Sequence, residues 1–124
     1  MRWIVDGMNV IGSRPDGWWR DRHRAMAALV ESLDRWAITD GAQVTVVFER
    51  PPSPPLESAA VTVTAAPSAA PDSADDEIVR LLHDDAHPEL IRVATSDRAL
   101  AQRVRDAGAT VVPAERFRDL IDPR

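Results

Sequence analysis

Four stretches of this chain bring carboxylates to places where a strand ends or a helix begins. They are Val5-Asp6-Gly7-Met8-Asn9, Phe48-Glu49, Ser73-Ala74-Asp75-Asp76-Glu77 and Thr95-Ser96-Asp97. Carboxylates held a few Å apart repel, so they must take up protons or share a counter-charge. A hard divalent cation with oxygen ligands is the natural counter-charge. Mg²⁺ typically takes about one or two protein carboxylates and keeps its waters for a phosphate substrate. Such an ion orients a water, lowers its pKa and neutralises a phosphodiester transition state. Each stretch also has a plainer reading. Asp6-Gly7 alone reads as a turn. Ser73 reads as a helix N-cap, with Asp75, Asp76 and Glu77 complementing the helix dipole. Asp97 reads as a cap before Arg98-Ala99-Leu100. Only their joint placement on one rim favours chemistry.

That placement depends on the elements between them. Trp3-Ile4-Val5 is a short apolar run that reads as a buried strand. Met26, Leu29, Leu33 and Trp36 share one face of a helix from Arg22 to about Ile38, closed by Asp40-Gly41. Val44–Phe48 is a second strand and Val61–Thr64 a weaker third. Pro71-Asp72-Ser73 opens a helix with Ile78, Leu81 and Leu82 inside, which should stop before Pro88. Leu90–Thr95 is a fourth strand, and Leu100, Val104 and Ala107 mark a helix ended by Gly108. Thr110–Val112 is a fifth strand, and Phe117, Leu120 and Ile121 belong to a last helix. Continuous apolar strands alternating with helices predict an α/β fold, with a mostly parallel sheet covered on both faces. In such a sheet, ligands bind beyond the carboxyl ends of the strands, where Asp6, Glu49 and Asp97 would stand.

Composition narrows the chemistry. A chain of 124 residues fits one domain, over residues 1–124, with a Pro-rich loop at about 50–58. There is no cysteine, which excludes disulfides, thiolate zinc sites and Cys nucleophiles. All 15 basic residues are arginine, so neither a Walker-A loop nor a Schiff-base lysine can be written. The net charge is −5. It is uneven: residues 1–50 balance, residues 51–90 carry one Arg against eight acids, and residues 91–124 are mildly basic. There is no signal-peptide apolar region and no run of the ~20 residues a membrane span needs. The expectation is a cytoplasmic protein with no membrane contact.

Val5-Asp-Gly-Met-Asn-Val-Ile-Gly12, Ser73-Ala-Asp-Asp-Glu-Ile78 and Ala94-Thr-Ser-Asp97, in this order, resemble the NYN domain of the YacP-like group, which are PIN-like ribonucleases. The resemblance runs from Trp3 to about Ile121. It implies a three-layer α/β/α PIN-like domain of about five strands that holds Mg²⁺ or Mn²⁺ and cuts RNA, leaving 5′-phosphate and 3′-hydroxyl ends. It assigns Asp6, Asp75 and Asp97 as metal acids and Asn9 as the partner that helps orient Asp6; Asp76, next to Asp75, is read as a further supporting acid. Ser96 matches the small hydroxyl residue beside the last acid. Glu49 departs from the aspartate usual at the second strand's end, and the Pro-rich tract departs from a Gly- and Lys-bearing segment.

Binding RNA needs cations and stacking surfaces. Arg14, Arg20, Arg22 and Arg24 follow the first motif closely, with Trp18 and Trp19 between them. Together with Ser96 they make the expected RNA-contacting set, gripping single strands by phosphate contacts and base stacking. The alternative is that a Trp packs into the core and the arginines are a solvated face. Arg98, Arg103 and Arg105 read as ordinary surface. His83 and His87 have helical zinc spacing but no third ligand, and Pro88 follows at once. The reading is thus a metal-dependent endoribonuclease acting on RNA, with ribosome association and a homodimer left open. A non-catalytic RNA- or ribosome-binding module and a metal-dependent phosphatase are the alternatives.

Overall fold

The first apolar run forms the central strand. β1 (Arg2–Asp6) pairs with β2 (Gln43–Phe48) on one side and with β4 (Ile91–Ala94) on the other. β3 (Val61–Ala65) lies beyond β2 and β5 (Thr110–Val112) beyond β4, giving the order β3-β2-β1-β4-β5. The computed structural model describes residues 1–67, 70 and 72–123. Every strand pairing among these residues is parallel, so the sheet expected to be mostly parallel is wholly so.

Side chains alternate across the strands and divide the core in two. Trp3, Val5, Val44, Val46 and Phe48 face α1 (Gly7–Ile11), α2 (Arg22–Asp40) and α5 (Ala114–Ile121). Ile4, Val47 and Val93 face α3 (Ser73–Asp84) and α4 (Arg98–Asp106). In the first layer Trp3 packs between Trp36 and Phe117, at ring-centre distances of 5.5 and 4.9 Å. Each fully buried aliphatic or Phe side chain contributes roughly 1.5–3 kcal/mol. Two such layers let the fold tolerate a buried, mutually repelling acid at its rim.

Local signals set both ends of α2. Asp21 caps α2 by accepting from the Arg24 amide at 3.0 Å, and Gly41 ends it at φ 69°, a left-handed conformation that favours glycine. The Arg22 helix therefore runs on to Asp40. Three expectations are corrected. Asp6-Gly7 is no turn: Gly7 opens the short helix α1 directly. Ser73 is not the N-cap of α3. Asp72 occupies that position at φ 62° and makes no side-chain cap bond. The fourth strand is shorter than Leu90–Thr95, because Leu90 closes a single helical turn that begins at Pro88. Pro71, expected to open α3, lies outside the described residues. α3 stops at Asp84, short of Pro88.

The connection from β2 to β3, residues 49–60, forms neither helix nor strand. It is tied to α2 twice. The Nε2 of His23 meets the Pro54 carbonyl at 2.8 Å. The Asp34 carboxylate accepts the backbone N–H groups of Ala59, Ala60 and Val61 at 3.0, 3.1 and 3.1 Å.

Candidate active site

The strand order turns around at β1. The chain builds outward from β1 through β2 to β3, then crosses to lay β4 on the other side of β1. The carboxyl ends of β1 and β4 thus flank a topological switch point, where open α/β sheets bind ligands. Asp6 ends β1. Val5 pairs with Ala94, which sets Thr95 beside Asp6 one step further on.

Asp6 is only 6% exposed. One of its oxygens accepts from the Thr95 hydroxyl at 2.8 Å. The same hydroxyl accepts the Asp97 N–H at 3.1 Å, so Thr95 couples the two strand-end acids. Asp6 makes no side-chain cap bond to α1. Gly7 is required next to it: a Cβ there would lie 2.4 Å from Cε1 of the buried Phe48. Asn9, one turn into α1, accepts the Ser96 amide through Oδ1 at 2.8 Å, bridging α1 to the end of β4. Asp97 caps α4 through the Leu100 amide at 3.0 Å, so its plainer reading also holds. Asp75 sits half-buried in the first turn of α3.

The electrostatics tie these groups together. Burial pushes the Asp6 carboxyl up to about 7, the Thr95 hydrogen bond opposes it, and the charges of Asp75, Asp97 and Glu49 raise it further. Burial also raises Asp75 to about 6, with Asp97 and Asp72 adding to it and Arg103 opposing. Asp6, Glu49, Asp75 and Asp97 therefore share one electrostatic field. Among the described residues no group of three or more carboxylates or imidazoles is placed to hold a metal ion. The donors fit a hard ion that keeps most of its water: all are oxygens, one is desolvated and short of counter-charge. They do not suit zinc. His87 lies beyond the end of α3 and its Nδ1 meets Glu89 at 3.0 Å, so it does not share a helical face with His83.

Two expected site residues are partnered within the fold. Asp76 is exposed and its Oδ1 accepts from Arg103 at 2.9 Å, while its charge still adds to the rise at Asp75. Arg14 is 8% exposed rather than free for RNA. Its guanidinium donates to Asp119 at 2.9 Å and to the side chain and carbonyl of Asp122 at 3.1 and 2.7 Å, pinning the loop after α1 to α5. Of the rest of the Arg/Trp set, all but Trp18 are exposed. Trp19 is 52% exposed, and Trp18 is half-buried against the core. Arg20 lies 5.9 Å from the centre of the Trp19 ring, and Arg22 5.5 Å from that of Trp18. Arg24 is exposed. The Ser96 hydroxyl accepts the Ala114 amide at 2.8 Å, positioning the start of α5. Thr95 is the residue that sequence reasoning left without a role. The only sign of it is a hydroxyl at the register position beside Asp6.

No helix among the described residues is long and apolar enough to cross a membrane. Residues 3–123 match the YacP-like NYN domain. The crystal structure of Rae1 (YacP) from Bacillus subtilis superposes with a TM-score of 0.80 at 23% identity, over 98% of this chain and 74% of that one. A tryptophan-to-leucine mutant of the same protein gives a TM-score of 0.70 at 26% identity, over 96% and 74%. No curated protein matches the chain.

Proposed function

The chain belongs to the YacP-like NYN domain family, a nuclease-like fold, and from that premise we propose that it is a divalent-metal-dependent endoribonuclease. The observation that carries the reading is Asp6, a buried acid raised to about 7 in the shared field of Asp75, Asp97 and Glu49 at the switch point of the sheet. Asp6, Asp75 and Asp97 would hold Mg²⁺ or Mn²⁺, which supplies a water of lowered pKa and neutralises charge at phosphorus. Thr95 keeps the Asp6 carboxylate aligned. Asn9, its carbonyl oxygen engaged by Ser96, retains its amide N–H groups to orient a water or a phosphate oxygen. Attack of water on phosphorus breaks the bond to the 3′ oxygen and leaves 5′-phosphate and 3′-hydroxyl ends. Trp18 and Trp19, with Arg20, Arg22 and Arg24, grip single-stranded RNA by stacking and phosphate contact.

The test is cleavage of end-labelled RNA by the purified chain in Mg²⁺ or Mn²⁺, in EDTA, and as the Asp6→Asn variant. Cleavage that needs the ion and disappears in the folded variant is the expected result. Wild-type cleavage by the variant overturns the assignment. The same RNA presented free and on ribosomes reports whether the substrate is ribosome-bound.

A further inference from the structure

Next to the carboxylate rim, between the start of α2 and the segment that follows β2, lies a cavity of about 380 Å³. We propose that it is a nucleobase subsite, which takes one unpaired base of the RNA beside the reacting phosphate. Only the position of that phosphate rests on the ribonuclease reading.

The lining argues for a flat, weakly polar ring attached to an anion. Met8, half-buried, presents its thioether to the cavity, and the buried Met26 and Phe48 lie behind it as an apolar floor, a surface that accommodates a π face. Pro51 and Pro52 form the wall, with no N–H groups to leave unpaired when a base displaces water. The mouth carries two exposed cations, Arg22 and Arg50, suited to the phosphate that accompanies a base. Glu49 is the acid in the lining and a ready acceptor for an exocyclic amino group. Its charge also reaches Asp6, so an occupant lies beside the proposed site of cleavage. Met8 is itself held between Asp6 and Asn9 on α1. A paired base cannot turn into such a pocket, so the occupant is a base from a single strand or a loop. The larger cavity, about 470 Å³, opens at the opposite ends of the strands around Arg2, Gln43 and Asp85, away from the acids.

The chain carries its own reporters. It has three methionines, of which Met8 and Met26 line the cavity and Met1 stands exposed at the far end of β1. The experiment labels the methionine methyl groups with ¹³C and titrates the whole chain with each nucleoside 5′-monophosphate in EDTA, with ribose 5-phosphate as the base-free control. The expected result is movement of the Met8 and Met26 signals while Met1 stays still, and binding about tenfold weaker in Arg50→Glu. Absence of movement at millimolar nucleotide overturns the proposal. Equal movement with ribose 5-phosphate also overturns it, because phosphate alone would then be bound. RNA cleavage without a methionine response refutes the subsite and spares the nuclease. A methionine response in a chain that never cuts RNA does the reverse.

Discussion

Replacing Asp6 by Asn should stabilise the metal-free protein at neutral and alkaline pH. The carboxyl has a pKa of about 7 in the fold, against 3.8 ordinarily. Between those two values the folded chain holds a proton that the unfolded chain has lost. Stability from this group is therefore fullest below pH 3.8 and falls as pH rises through about 7. A carboxyl raised that far is roughly 4 kcal/mol less favourable when ionised in the fold than in the unfolded chain. Relaxation and water entry at the rim reduce this to about 2 kcal/mol. Asparagine keeps the shape and still offers an oxygen to the Thr95 hydroxyl, so packing is unchanged. Urea unfolding in EDTA at pH 8 should show Asp6→Asn more stable by about 2 kcal/mol, with the gap closing toward pH 4. Added Mg²⁺ should stabilise the wild type more than the variant at pH 8. Equal stabilities at pH 8, or a gap that does not change with pH, would refute the claim that Asp6 is a desolvated, like-charged acid.

Other substitutions separate structure from function. Gly7→Ala drives a methyl group into the Phe48 ring and should cost about 1–3 kcal/mol in thermal or urea unfolding. Asp97→Ser retains a capping oxygen for Leu100 but removes the charge. It should keep stability within about 1 kcal/mol while abolishing ion-dependent RNA cleavage. Trp19→Ala should leave stability within about 0.5 kcal/mol, because the ring is exposed, and weaken single-stranded RNA binding about tenfold in fluorescence anisotropy. Arg14→Ala should do the opposite at first order. It loses about 2 kcal/mol of stability with its ion pairs to α5, while any effect on RNA comes only through the displaced loop.

The sheet was legible because its strands are continuous apolar runs, such as Trp3-Ile4-Val5 and Val44–Phe48, and its helices keep a regular inner face. The carboxylates could be ranked because a parallel sheet presents functional groups at one end only. What escaped the sequence was partnership. Arg14 and Arg20 are the same residue type a few positions apart, yet one is sealed under α5 and the other lies beside Trp19. Acids distant in the chain, Asp119 and Asp122, make that difference. Asp75 and Asp76 are likewise adjacent, but the helix turns them apart, one half-buried and sensing Asp97, the other bound to Arg103. Thr95 stayed silent because a hydroxyl in a strand has no period that announces its bond to Asp6. α1 was missed because Asp-Gly favours a turn, and only the Phe48 ring pressed against Gly7 shows why glycine is there.

The Asp34 carboxylate, which gathers three successive amides at the entry to β3, has a kinetic meaning as well as a structural one. With His23 holding Pro54, it divides a long irregular connection into short closed segments anchored on one helix. The conformational freedom of those segments is given up when the protein folds, not when a ligand arrives. A wall ordered in advance can admit and release the nucleotides proposed for it without refolding at each encounter. Recognition there should resemble a rigid slot, with fast exchange and little induced fit.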